Sequence, residues 1–298
     1  MRTLDVRTRI ELKNILFATD FSPASAAAAP YAAELAKRYG AVLYALHVRP
    51  PAVNPMTPPK TWKGLEEAAR IEGEQEKKKL LDSFAGVQPE VLIKEGDLWS
   101  NIAAAIDGHK IDLIVMGTRG RSGIRKFVLG SVAEEIFRQA PCPVLTVGPH
   151  APSEPKRGGE FYRILFATDF SPESVAAAPY AISLAQECQA YLTLLHVLAE
   201  PKAGDLVHPS ELTRSSEQLL RNLVPPEAEL WCVPEYVVER GVAAGKILEV
   251  AAQSKVDLIV LGVRQPSGFP GAATHLPIAI AHKVVSHAAC PVLTVRGS

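Results

Sequence analysis

The residues of this chain with most capacity for chemistry lie between Gly117 and Ser131, in GTRGRSGIRKFVLGS. Gly117 and Gly120 let main chain come close to a ligand where a side chain would block it, and Gly130 does the same just before a helix start. That start is SVAEEIFRQ, in which Ser131 can cap the first turn and Glu134, three residues on, can close a capping box. Free amides and the positive end of a helix dipole favour an anion there by about 0.3–1 kcal/mol. Arg119, Arg121, Arg125 and Lys126 crowd the same stretch. Glycines, amides and cations in one loop describe a seat for phosphate. The spacing Gly-x2-Gly-x9-Gly-Ser arises by chance about 0.01 times in a chain of this length, and the bland alternative is a basic surface loop whose glycines serve turns only.

Other candidate chemistries are weaker. Cys142, Cys188, Cys232 and Cys290 include no CxxC pair, so neither a zinc site nor a redox motif is indicated and buried thiols are expected. His275, His282 and His287 are seven and five apart, which does not place all three on one helical face. His47 and His196 stand at matched strand ends without a recognisable nucleophile and read as structural. A dehydrogenase would carry GxGxxG after its first strand, where this chain has TDFSP, and a P-loop kinase would need GxxxxGK[ST], which is missing. Phosphate hydrolysis or transfer requires a positioned base, and none is evident beside the arginines.

The elements that must hold the loop follow from the rest of the chain. With 298 residues and 47% hydrophobic content, there is room for two domains with proper cores. A formal net charge of zero removes any bulk attraction to nucleic acid or an anionic membrane. No apolar run approaches the roughly 20 residues that span a bilayer, and the charged start MRTLDVRTRIELKNILFATD lacks the apolar centre of a signal peptide. A cytoplasmic location is expected.

The chain is one unit written twice. ILFATDFSP recurs from Ile15 to Ile164, AAAPYA recurs with Tyr31 and Tyr180 in equal places, LHV at Leu46 answers LHV at Leu195, and DLIV at Asp112 returns at Asp257. CPVLTV closes both copies. A repeat of this length is a duplicated domain rather than a solenoid unit. Domains are assigned to 1–149 and 161–298, with the proline- and charge-rich 150–160 as linker. In the first copy, NILFAT, AVLYALHV, EVLIKEG, IDLIVMG and PVLTVG read as strands. Between them, an alanine-rich helix kinked at Pro30 ends at Gly40, a long charged helix runs from Trp62 to Phe84 with Leu65, Ala68, Ile71, Leu80 and Leu81 as its apolar residues, and a third helix covers Leu98 to Ile106. Alternating strands and helices predict an α/β fold of two tandem open five-stranded parallel sheets, Rossmann-like, each flanked by helices. If the strand order is 3-2-1-4-5, the ends of strands one and four meet at Asp20 and Gly117.

ATDFSP, LHV, DLIVMG, the glycine loop and CPVLTV together resemble the universal stress protein family in its tandem form. The resemblance implies a fold like the adenine nucleotide alpha-hydrolase relatives and ATP as ligand in members that keep the glycine motif. Carried onto this sequence, it assigns Ala18, Thr19 and Asp20 to the adenine side, Val48 to the wall under the base, Met116 and Gly117 to the ribose side, and Arg119, Gly120, Gly130, Ser131 and Val132 to the phosphates. Asp20 can equally serve as a helix cap near Pro23. Ala133 stands where many nucleotide-binding members carry a hydroxyl. Mg²⁺ is expected to arrive with ATP. The final strands, Val144 to Val147 and Val292 to Val295, are expected to pair as an intramolecular pseudo-dimer, with room left for a homodimer.

The second copy departs from the motif. It keeps Asp169 and Gly262, but Gln265 replaces the second glycine, and Pro277, Ile278 and Ala279 stand opposite Gly130 and Ser131. Pro266, Pro270 and Pro277 stiffen that region, which can instead cover an apolar pocket. The resulting expectation is a stress-response protein that binds ATP in its first domain as a regulatory ligand. The alternatives are a slow ATPase or phosphotransfer enzyme, or a scaffold or apolar-ligand carrier using the second domain.

Overall fold

The computed structural model describes residues 10–51, 62–84, 86–118, 131–152, 160–201, 208–226, 228, 232–263 and 275–297. The loop 119–130 with Arg119, Gly120 and Gly130, most of the linker, and the stretch 264–274 with Gln265, Pro266 and Pro270 lie outside the described residues, as do the side chains at 66, 131–132 and 275–279.

The first copy runs β1 (Asn14–Thr19), α1 (Pro23–Ala26), α2 (Ala29–Tyr39), β2 (Val42–Arg49), α3 (Trp62–Asp82), β3 (Glu90–Glu95), α4 (Leu98–His109), β4 (Leu113–Gly117), α5 (Ser131–Gln139) and β5 (Val144–Val147). The second repeats it as β6 (Arg163–Ala167), α6 (Pro172–Val175), α7 (Ala178–Cys188), β7 (Tyr191–Leu198), α8 (Pro209–Leu223), β8 (Glu235–Arg240), α9 (Ala243–Gln253), β9 (Leu258–Val263), α10 (His275–His287) and β10 (Val292–Arg296). The single kinked helix expected after β1 is two helices. Pro30 falls in the first turn of α2, where no backbone N–H is needed, so it starts a helix instead of bending one. α2 ends at Gly40, whose φ of +63° closes the last turn in the left-handed region.

The sheet order is β3-β2-β1-β4-β5-β10-β9-β6-β7-β8. Each half is parallel in the order 3-2-1-4-5, but the two do not form separate sheets. β5 and β10 pair antiparallel, with Leu145 opposite Leu293, Val144 opposite Thr294 and Thr146 opposite Val292. Thr146 Oγ1 donates to the Val292 carbonyl at 3.0 Å and Thr294 Oγ1 to the Val144 carbonyl at 3.2 Å, one bond made twice by the pseudo-two-fold. The apolar edges vanish into this joint. The edges that remain are β3 and β8, whose Lys94, Glu95, Glu239 and Arg240 discourage further pairing.

Strand alternation splits the core into two layers. Ile15 and Phe17 of β1 face the α2 side, where Phe17 meets Phe84 edge-on at 5.4 Å, while Leu16 faces Ile102, Ile114 and Ile136 on the α4 and α5 side. Asp112, the polar interruption in an apolar run, takes the backbone N–H groups of Lys13 and Asn14 at 2.8 and 2.9 Å, and Asp257 does the same for Tyr162 and Arg163. The halves also touch outside the sheet. Arg38 reaches the Glu187 carbonyl at 2.7 Å and the Glu160 carboxylate at 2.8 Å, and Tyr31 stacks on Phe161.

Because both cores meet at the β5–β10 joint, Leu145→Ala should cost about 2–5 kcal/mol. Urea unfolding followed by circular dichroism should show one transition at a lower midpoint, not a second transition for the first half alone.

Candidate functional site

Strand order reverses at β1, with β2 on one side and β4 on the other, and in open parallel sheets the strand ends at such a reversal are where ligands sit. Ala18 lies opposite Met116, and Thr19 opposite His47, the neighbour of Val48. The fold therefore brings Ala18, Thr19, Asp20, Val48, Met116 and Gly117 to one end of the sheet. The first four are half-buried and the last two buried. Ser131 and Val132 are the first residues of α5, so Ser131 lies inside the helix and not ahead of it as a cap.

The turn from β1 into α1 is built by short polar side chains. Thr19 Oγ1 accepts the Phe21 N–H at 3.0 Å and donates to Ser25 Oγ at 2.9 Å, and Ser22 caps α1 by accepting the Ser25 N–H. Asp20 is thus not the cap. Its Oδ1 accepts the Ser22 N–H at 3.0 Å and closes the turn two residues on. Phe21 is held at φ +59°, an unfavourable region for a large side chain, with its ring 4.6 Å from that of His47.

His47 anchors the turn from below. Its Nδ1 is 2.8 Å from the Thr19 carbonyl, which can only accept, so Nδ1 carries a proton and Nε2 faces Glu76 Oε1 at 3.4 Å. Arg49 lies 4.0 Å from the other Glu76 oxygen and 2.6 Å from Glu95. Glu76 belongs to α3, whose inward face is Ala69, Gly73, Glu76 and Leu80. Of the apolar residues of α3, Leu65, Ile71 and Leu81 are exposed, so a buried polar cluster takes the place of an apolar stripe. The sequence pattern missed Glu76 because an acid in a charge-dense helix gives no sign of facing inward.

Gly117 has a reason independent of any ligand. A Cβ there would sit 2.5 Å from the Ala24 carbonyl oxygen and 2.7 Å from the Ser25 nitrogen, so α1 lies directly on the end of β4. Gly262 meets Glu173 and Ser174 of α6 in the same way. The rest of the turn is duplicated too: Asp169 Oδ1 accepts the Ser171 N–H at 3.0 Å, Phe170 has φ +61°, and His196 Nδ1 lies 2.8 Å from the Thr168 carbonyl. The halves differ at a few positions around this frame. Thr118 is replaced by Val263, Ala24 by Glu173, Arg49 by Leu198, and the buried polar residue of α8 is Ser216. Thr118 is another residue that spacing did not single out. Its Oγ1 is buried at the end of β4 with no hydrogen-bond partner among the described residues. The four cysteines form no disulfide, and burial pushes the Cys142 thiol up to about 12.

A model of the universal stress protein family matches residues 11–148 and, a second time, residues 160–296. The chain belongs to the universal stress protein family. Among tandem members, a universal stress protein of Mycolicibacterium smegmatis is 32% identical over 293 residues, which is 95% of this chain and 96% of that protein. One from Methanocaldococcus jannaschii is 36% identical over 138 residues, 45% of this chain and 81% of its own length. The crystal structure of a universal stress protein from Archaeoglobus fulgidus, 22% identical, shares the fold with a TM-score of 0.68 over 98% of this chain and 99% of that one. Among the described residues, no helix of this universal stress protein is long and apolar enough to cross a membrane.

If the glycines at 117 and 262 exist for α1 and α6, Gly117→Ala and Gly262→Ala should each lower stability by about 1–3 kcal/mol. Gly245→Ala, inside α9 with open space around it, should raise stability by about 1 kcal/mol. Denaturant midpoints of the three variants decide the matter.

Proposed function

We propose that this universal stress protein binds ATP with Mg²⁺ in its first half, in the cytoplasm, as a regulatory or signalling ligand. The observation that carries the reading is the Thr118 hydroxyl, orphaned among the described residues. A buried hydroxyl without a partner costs about 1–3 kcal/mol, and this one stands at the end of β4, directly before Arg119 and Gly120. The second half, which has lost the second glycine, carries an apolar valine there. A ligand rich in hydroxyl and phosphate oxygens supplies a partner that the described residues do not.

The other residues divide the ligand between them. Asp20 takes the adenine amino group. A carboxylate offers about four acceptor positions, so that role is compatible with its turn bond to Ser22. Ala18, Thr19 and Val48 form the walls on the base side, and Met116 with Gly117 takes the ribose side. Arg119, Gly120, Gly130, Ser131 and Val132 receive the phosphates, where bare main chain and cations suit a polyanion. ATP brings the triphosphate charge, and the chain contributes position.

Calorimetry should find one ATP per chain, with binding abolished by Gly120→Val or Gly130→Val and unchanged by Gly245→Ala. Thr118→Val, which installs the second half's residue, should weaken ATP about tenfold without lowering thermal stability. Two equal sites, or none, contradict the proposal.

A further inference from the structure

The turn after the first strand is built alike in both halves, but the long helix beside it is not. In each half a histidine Nδ1 lies 2.8 Å from the threonine carbonyl, and a phenylalanine at φ +59° or +61° sets its ring against that imidazole. In the first half α3 meets this turn with charge. Glu76 Oε1 lies 3.4 Å from His47 Nε2, and Lys79 Nζ stands 5.8 Å over the Phe21 ring. Arg49, at the end of β2, donates to the Ala69 carbonyl and lies 4.0 Å from Glu76 Oε2. Ser216 and Leu220 are buried four residues apart in α8, as Glu76 and Leu80 are in α3. That match places neutral Ser216, Leu219 and Leu198 where the first half has Glu76, Lys79 and Arg49.

The second half therefore shows that the shape of the turn needs none of these charges. Stability does not account for them either, because burying an acid and a guanidinium costs desolvation that serine and leucine avoid. What they add is a connection between the turn and α3. The inward face of α3 is Ala69, Gly73, Glu76 and Leu80, with one large apolar side chain among them. Docking thus rests on polar contacts, and opening of this helix belongs to the cheaper motions of the fold. Both contacts to Glu76 are longer than the roughly 2.7–2.9 Å of a tight charge-assisted bond, so the cluster has room to tighten.

We propose that α3 reads out nucleotide occupancy: ligand in the first half tightens this helix onto the sheet through the Thr19 carbonyl, His47 and Glu76. The inference rests on the ATP reading above. A base held by Asp20 immobilises the turn, the fixed Thr19 carbonyl fixes the imidazole, and the imidazole then presents Nε2 to Glu76 in one position. Docked helix and bound nucleotide favour each other, as linkage requires. The second half, with neutral residues at these positions, has no such readout through α8.

The test is hydrogen exchange of the full chain followed by mass spectrometry, with and without MgATP, with calorimetry on the same samples to measure binding. MgATP should slow the α3 amides at least about fivefold and leave those of α8 unchanged. Arg49→Leu combined with Glu76→Ser, which installs the second half's residues and removes both charges together, should bind ATP within about tenfold of the natural chain and lose the slowing of α3. Unchanged exchange in β1, β4 and α8 reports that this variant is folded. The proposal is overturned if ATP binds and α3 does not respond, if α8 slows equally, or if the slowing survives in the double variant. A folded double variant that no longer binds ATP also overturns it, because the pair then serves the seat and not the readout. Absence of ATP binding by the natural chain overturns the ATP reading itself, and this inference with it.

Discussion

Everything at the functional end of each half depends on main chain resting on main chain. The short helix after the first strand lies so close to the last residue of the fourth strand that only hydrogen fits between them, at Gly117 against Ala24 and Ser25 and at Gly262 against Glu173 and Ser174. A side chain at either glycine would push the helix away, and with it the turn that carries Thr19 and Asp20 or Thr168 and Asp169. The contact is steric and needs no ligand, which is why it persists in a half whose loop has lost its other motif residues.

On that support stands a turn held by its own polar atoms. The threonine hydroxyl, the aspartate carboxylate and the capping serine accept the backbone N–H groups of Phe21, Ser22 and Ser25, and a histidine fixes the strand-end carbonyl from the next strand. In the first half this histidine leads on to Glu76 and Arg49, so α3 is pinned to the sheet by a buried polar cluster. The second half keeps the histidine and its carbonyl but has Leu198 in place of the arginine. The two copies share a frame and differ in the side chains set around it. That separation leaves the frame of one duplicated unit intact while the side chains around it diverge.

Much of the fold was legible in the residues because it rests on long-range repetition and strand periodicity. Matching strings revealed the duplication, alternation revealed the strands, and the resemblance to the family implied the joint that the β5–β10 pairing makes. What was not legible depends on contacts between elements distant in sequence. Pro30 marks a helix start only because α1 and α2 are separate, and Gly117 read as a ligand glycine because the helix above it is invisible in a spacing. Glu76 and Thr118 gave no pattern at all: their importance lies in burial without apolar character. Of the proposed ligand residues, Ala18, Thr19 and Met116 are placed by strand register, whereas Arg119, Gly120 and Gly130 lie outside the described residues.

The account holds that the two frames are equivalent and that ligand choice lies in the exchanged residues. Native mass spectrometry in MgATP tests this most directly, on a chain carrying residues 119–132 at the place of 264–280 together with Glu173→Ala and Val263→Thr. Equivalent frames predict two bound nucleotides where one is proposed for the natural chain. A folded chain that still holds one would contradict the account.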